Sequence, residues 1–64
     1  MRIDNKEQFD DLDITTKGKT HTYYSTEWEY VEYDKDYIYI KFVESHPTNC
    51  IIYNKDQVIS IEIG

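Results

Sequence analysis

The sequence is poor in the residues that usually brace a chain of only 64 residues. Cys50 is the single cysteine, so no disulfide can form within the chain. A structural zinc site needs four ligands, whereas the nitrogen and sulfur donors are limited to His21, His46 and Cys50. Small domains that lack disulfides and metals often depend on a partner chain, so we expect a homodimer and no cofactor.

Glycine and arginine are also scarce, and their scarcity excludes two classes of function. With only Gly18 and Gly64, the chain has neither a glycine-rich phosphate loop nor a dinucleotide-binding fingerprint. Arg2 is the only arginine, and the net charge is -6 with a pI near 4.6. Nucleic-acid binding requires clustered lysine and arginine to neutralise phosphates, so we expect no direct contact with nucleic acid.

Long apolar runs are missing as well. No stretch approaches the about 20 apolar residues of a membrane span, and the sequence does not start with a basic and apolar secretion signal. A single thiol fits a reducing compartment. The sequence therefore predicts a cytoplasmic protein that does not bind membranes.

What the sequence does contain is an aromatic stretch over residues 26–43, which predicts a β-hairpin. This stretch holds the only tryptophan, Trp28, together with four of the seven tyrosines. Aromatic and β-branched residues fit a pleated, half-buried surface. Asp34, Lys35 and Asp36 divide the stretch into two arms and have the composition of a tight polar turn. We expect the rest of the chain to pack around this hairpin.

Two registers are open to the hairpin, and they differ in the pairs that face each other across the strands. A two-residue loop would set Glu29 beside an isoleucine. Favourable cross-strand pairs are each worth about 0.2–1 kcal/mol, which favours a three-residue loop. That loop makes three such pairs, namely Trp28 with Phe42, Tyr30 with Ile40, and Glu29 with Lys41.

In the predicted register the hairpin carries large side chains on both faces. One face, led by Trp28 and Phe42, is expected to form the core. The other presents Tyr33, Tyr37 and Tyr39, which we expect to form a dimer interface or an aromatic partner site. An acidic row follows the same hairpin and is predicted to meet a basic partner: Glu27, Glu29, Glu32, Asp34 and Asp36.

A short helix is predicted over about residues 5–12. Asp4, with Glu7 three residues later, resembles a capping box. Phe9 and Leu12 have the spacing of one narrow apolar stripe on a helix. Isolated helices of two turns are unstable in water, so we expect this helix to dock on a sheet.

The remainder of the chain predicts a four- to five-stranded antiparallel meander. Gly18 marks a turn within a connector over residues 13–20, and Pro47 lies in a loop. The last strand alternates, with Ile59, Ile61 and Ile63 directed inward. The predicted fold class is therefore mainly β in a single domain, residues 1–64, with strands over about 20–25, 26–33, 37–44, 50–53 and 57–63.

Catalytic patterns are sparse. His46 precedes Cys50 by four residues and suggests a thiol with its base, but Cys50 begins an apolar strand, where cysteine is usually a small buried hydrophobe. A catalytic carboxyl with a raised pKa requires a deep apolar pocket, for which a chain of 64 residues has little volume. We predict that the protein is not an enzyme.

Two resemblances bear on function. The ending over residues 53–63, Tyr-Asn-Lys-Asp-Gln-Val-Ile-Ser-Ile-Glu-Ile, resembles the last hairpin of very short β-proteins from Gram-positive bacteria and their phages. In size, acidity, aromatic content and lack of a catalytic motif, the chain is similar to short acidic inhibitors that phages encode against host enzymes and defence systems. Inhibitors of that type often bind stoichiometrically, some of them as DNA mimics. The resemblance implies a binding function and carries over no catalytic residue.

Three functions remain open from the sequence. The first is a small acidic binding protein that occupies a larger partner with a basic surface, such as a host nucleic-acid enzyme or an antiviral defence system. The second is a dimer that sequesters a nucleotide, with tyrosines stacked on the base and Lys17, Lys19 or Lys41 at the phosphate. The third is a purely structural assembly module.

Overall fold

A computed structural model of the chain describes residues 1–5 and 10–64, which form two antiparallel sheets. The four-stranded sheet has the order β1-β4-β5-β6 and the three-stranded sheet the order β3-β2-β7. The mainly β class is thus confirmed. The strands are β1 (Arg2–Asp4), β2 (Leu12–Thr16), β3 (Lys19–Tyr23), β4 (Trp28–Tyr33), β5 (Tyr37–Phe42), β6 (Cys50–Asn54) and β7 (Val58–Ile63).

The helix predicted over residues 5–12 is not supported. The described part of the chain contains no α-helix, and its one helical piece is a 3-10 turn, Lys55–Gln57, between β6 and β7. Asn5 follows β1 directly and Leu12 begins β2, while residues 6–9 lie outside the described residues. The alternation of Leu12 and Ile14 describes this segment better than the helical spacing does. It has the period of a strand and continues into the β-branched residues Thr15 and Thr16.

A single meander is also wrong, because β1 pairs with β4 and β2 pairs with β7 as well as with its neighbour β3. β1 pairs with β4, and β2 lies between β3 and β7 at the centre of the smaller sheet. Residues 13–20, predicted as a connector, mostly belong to β2 and to its turn into β3. Gly18 has a φ of 82°, so the expected glycine turn is confirmed.

The core lies between the two sheets. Trp28 is 1% exposed, and its indole Nε1 donates to the Asp10 carbonyl at 2.7 Å, so the largest side chain is buried without leaving a polar atom unpaired. Leu12 and Ile14 come from the smaller sheet and pack against apolar residues of the larger one. The fully buried apolar set in the described chain is Leu12, Ile14, Trp28, Val31, Ile38, Ile40 and Phe42.

The central hairpin differs from the predicted register because β4 contains a bulge. Trp28 faces Phe42 as predicted, but Tyr30 faces Lys41 rather than Ile40. The register shifts between Trp28 and Tyr30, so Glu29 has no partner on β5. As a result the strand turns Val31 inward, where it faces Ile40 in the core, and turns Tyr30 outward.

The same shift changes the turn of the hairpin. Tyr33 faces Ile38, and the Asp34 N–H donates to the Tyr37 carbonyl at 2.9 Å. The loop between these paired residues is therefore the two residues Lys35 and Asp36, and the predicted three-residue loop is wrong. Two-residue loops are the commonest connections of β-hairpins.

A second irregularity lies where β2 meets β7. Thr15 faces Ser60 and Thr16 faces Val58, so Ile59 is the extra residue of a bulge. Ile59 is 69% exposed, whereas Val58 packs against the core. The predicted inward direction of Ile59 is therefore wrong, while Ile61 and Ile63 do pack on the core.

Two aromatic rings pack on Phe42, and one of them also joins the edges of the sheets. The hydroxyls of Tyr23 on β3 and Tyr53 on β6 lie 2.8 Å apart, and the Tyr23 ring packs on Phe42 with centroids 5.1 Å apart. Burial, with the hydrogen bond to Tyr53, raises the pKa of Tyr23. The His46 ring also stacks on Phe42, with centroids 4.4 Å apart, and ties the loop after β5 to the core.

Candidate binding surface

The four-stranded sheet has one face on the core and one face away from it, which we call the outer face. Side chains alternate between the two faces along each strand, and Ile38, Ile40 and Phe42 fix which face is inner on β5. The pairing register then assigns the outer face to Arg2, Asp4, Tyr30, Glu32, Tyr37, Tyr39, Lys41, Cys50, Ile52 and Asn54.

Aromatic rings lie at the centre of the outer face. Tyr30 and Tyr39 have ring centroids 6.0 Å apart, and the Arg2 guanidinium lies 3.7 Å above the Tyr30 ring. Arg2 also forms an ion pair with Asp4 at 3.0 Å, and this hydrogen bond raises the pKa of Arg2. Ile52 faces Tyr39 across the strands and is 60% exposed. The outer face thus combines charged side chains with aromatic and aliphatic ones at its centre.

Two tyrosines of this face, Tyr37 and Tyr39, have raised pKa values. A hydrogen bond with the Cys50 thiol, reinforced by desolvation, raises the pKa of Tyr39 to about 12. Cys50 is half-buried and faces Lys41 on the outer side, so it is not the core hydrophobe that its position in the sequence suggests. Neutral tyrosines keep both a donor and an apolar ring available for a partner.

The three tyrosines predicted as one aromatic site do not share a face. Tyr37 and Tyr39 lie on the outer face. Tyr33 faces Ile38 and packs against the core, and burial raises its pKa. The bulge at Glu29 separates them, because one extra residue moves every later side chain of β4 to the other face. Tyr30, which the predicted register places on the core face, lies on the outer face instead.

The acidic row is divided in a similar way. Glu27 is engaged locally: its carboxylate accepts the Tyr24 N–H at 2.9 Å and lies 3.2 Å from His46 Nε2. Glu29 is half-buried in the bulge. Glu27 and Glu29 are therefore engaged within the fold. The other three acids of the row lie farther along the hairpin.

The charges of those three acids act on one tyrosine at the end of the hairpin. The carboxylate of Asp34 raises the pKa of Tyr37 by its charge and by a hydrogen bond, and the charges of Glu32 and Asp36 act in the same direction. Tyr37 is therefore within electrostatic reach of all three carboxylates. We call this group the acidic tip: Glu32, Asp34, Asp36 and Tyr37.

The backbone of the acidic tip is held by Lys55. The Lys55 ammonium donates to the Asp34 carbonyl at 2.8 Å, and the Lys55 N–H donates to the Asp36 carbonyl at 3.1 Å. Asp34 also accepts the N–H of Lys35 at 2.6 Å, which fixes the start of the turn. The carbonyls are thus used internally, while the carboxylates of Glu32 and Asp36 form no hydrogen bond with other described residues.

The described residues give no sign of a resident metal. Among residues 1–5 and 10–64, no three His, Cys, Asp or Glu side chains gather as a metal site requires. No helix in this part of the chain is long and apolar enough to cross a membrane.

Comparisons with protein-family models, with curated proteins and with solved structures found no match. The likeness to phage-encoded inhibitors therefore stays a prediction from the sequence.

Proposed function

We propose that this chain is a small acidic binding protein that occupies the basic surface of a larger protein. The observation that carries the proposal is the acidic tip, where the charges of three carboxylates act on the exposed residue Tyr37. Lysine and arginine side chains satisfy such a group of acceptors, and tyrosine supplies contact area together with one polar end. Tyr39 and Ile52 extend the same surface with apolar area.

The net charge of -6 supports a partner of opposite charge, because it steers a basic surface toward the chain during association. Proteins that bind nucleic acid carry such basic surfaces. We therefore propose a cytoplasmic target that is a nucleic-acid enzyme or an antiviral defence protein, with the chain acting as a phage-type inhibitor by occupying its phosphate-binding groove.

Neutralisation of the acidic tip tests the proposal. The variant Glu32→Gln, Asp34→Asn and Asp36→Asn removes three charges and keeps the side-chain shapes. The partner is first captured by the wild-type chain and purified, and its Kd is then measured at two salt concentrations. Exposed charge contacts are worth about 0.2–1 kcal/mol each, so we expect binding to weaken by about 3- to 150-fold.

A matched control removes three charges elsewhere. Asp13, Glu44 and Glu62 lie outside the acidic tip, and Asn at position 13 still accepts the Thr22 hydroxyl that Asp13 accepts at 2.6 Å. The control variant Asp13→Asn, Glu44→Gln and Glu62→Gln should bind as the wild type does, apart from a general loss of steering. Equal Kd values for the two triple variants would refute the proposal.

Self-association through the outer face is the second candidate, and the exposed Ile52 beside Tyr39 favours it. Four strands about 4.8 Å apart and five residues long have a footprint of only about 300 Å². Stable interfaces bury about 800 Å² per partner, so a dimer formed by this face alone would be weak. Light scattering at two salt concentrations, with Ile52→Lys as the disrupting variant, distinguishes a homodimer from a monomer and from a larger structural assembly.

A further inference from the structure

A pocket of about 620 Å³ opens where the turn between β2 and β3 approaches the crossover from β6 to β7. Pockets of about 300–1,000 Å³ are typical of small-molecule sites. None of its lining residues belongs to the acidic tip or to the outer face. The lining residues are Thr16, Lys17, Tyr53, Asp56, Gln57 and Ile59.

Two of the lining residues form an apolar wall. Tyr53 is half-buried, and its hydroxyl is held by the Tyr23 hydroxyl at 2.8 Å. Ile59 is the bulged residue of β7 and is 69% exposed. Bulges often re-aim a side chain next to a site, and here the bulge turns an isoleucine away from the core toward the pocket. A ligand with an apolar body would cover this exposed surface.

The same pocket carries two opposite charges that do not neutralise each other. Lys17 and Asp56 both line it, yet they form no ion pair with each other. Within the described residues neither side chain forms a hydrogen bond, and the same holds for Gln57. A cation and an anion are therefore both available to a ligand that lies between them.

We propose that this pocket binds a small zwitterion with an apolar body, either a free amino acid or a short peptide. Its ammonium group would pair with Asp56, its carboxylate with Lys17, and its apolar part would pack on Tyr53 and Ile59. A zwitterion carries no net charge and so avoids the repulsion that a phosphate would meet on a chain of net charge -6. The site is independent of the surface proposed for the protein partner.

The test titrates the full chain with L-phenylalanine and with the dipeptide Gly-Phe, following amide signals by NMR. N-acetyl-phenylalanine lacks the ammonium group and phenylalanine amide lacks the carboxylate. We expect saturable shifts at the lining residues with a zwitterion and at least fivefold weaker binding of both blocked compounds. Tighter binding of the dipeptide assigns the site to peptides, and tighter binding of phenylalanine assigns it to amino acids.

Variants of the pocket charges complete the test. Lys17→Gln and Asp56→Asn should each weaken binding at least fivefold. Lys19→Gln removes an exposed charge just beyond the same turn, outside the lining residues, and should leave the Kd unchanged. The proposal is wrong if no ligand gives a saturable shift, if the blocked compounds bind equally well, or if Lys19→Gln weakens binding as much as Lys17→Gln.

Discussion

The side chain of Asn5 should contribute more to stability than any other exposed or buried polar side chain of the described chain. It is 5% exposed, and its Nδ2 donates to the carbonyls of Ser25 at 2.8 Å and Trp28 at 3.0 Å. Its Oδ1 accepts the Asp10 N–H at 3.0 Å. One amide thus links the end of β1, the start of β4 and the segment that leads into β2.

Replacement of Asn5 by alanine removes three hydrogen bonds and leaves their backbone partners without the amide. A net hydrogen bond is worth about 0.5–1.5 kcal/mol, and a buried unpaired group costs about 1–3 kcal/mol. We therefore expect a loss of about 2–4 kcal/mol. A domain of this length has a total free energy of unfolding of about 3–10 kcal/mol, so the variant should lose a large part of it.

Urea unfolding followed by tryptophan fluorescence measures this loss, because Trp28 is the only tryptophan and is buried beside the Asn5 amide. With a slope of about 1 kcal/mol per molar, the midpoint should fall by about 2–4 M. The control is Asn54→Ala, since Asn54 is exposed and makes no side-chain cap to the 3-10 turn. A midpoint for Asn5→Ala that matches Asn54→Ala would refute this account of the junction.

Three further predictions concern single positions. Gly18→Ala should lower the free energy of unfolding, measured in urea, by about 1 kcal/mol, because a φ of 82° disfavours any residue with a Cβ. The cost comes from the backbone alone, since no atom lies within 4 Å of the added Cβ. Equal stability of the variant and the wild type would contradict this. Since Tyr39 has a pKa of about 12 when folded and about 10 when unfolded, its contribution to stability is complete below pH 10 and lost between pH 10 and 12. Tyr39→Phe should flatten that part of a stability–pH curve, and an unchanged curve would argue against the contact with Cys50. His46→Ala should lower the free energy of unfolding by about 1 kcal/mol, because the ring no longer stacks on Phe42. Glu27→Gln should cost less, because the new amide oxygen still accepts the Tyr24 N–H. The reverse order would contradict the contacts described.

The parts of the fold that could be predicted from the sequence are those that depend on local pattern. The hairpin strands and the turn at Gly18 are marked by aromatic alternation and by glycine. The pair of Trp28 and Phe42 follows from the preference of two large rings for one buried face. These features require only short-range information.

Strands β1 and β2 could not be predicted in the same way, because β1 pairs with the distant β4 and β2 has the distant β7 on one side, with only β3 nearby in sequence. β1 has only three residues, and β2 is defined by its position between β3 and β7. The spacing of Phe9 and Leu12 is that of a helix. The alternation of Leu12 and Ile14 is a strand signal, but it spans only three residues. Tertiary pairing decides such short segments.

The faces of Tyr30 and Tyr33 were mispredicted for one physical reason, the bulge in β4. An extra residue at Glu29 moves Tyr33 inward and Tyr30 outward, and no glycine marks the position. The signal that could have indicated it is the spacing of Trp28 and Val31, two strongly apolar residues three positions apart within one strand. Both can be buried only if the alternation is interrupted between them.

The most direct test of the proposed binding surface is a hydrogen-exchange footprint of the chain in complex with its captured and purified partner. We expect protection of amides in β4, in β5 and in the turn between them, and none of comparable size in β2 and β3. This pattern would identify the acidic tip and the outer face as the contact. Protection confined to the three-stranded sheet would contradict the account.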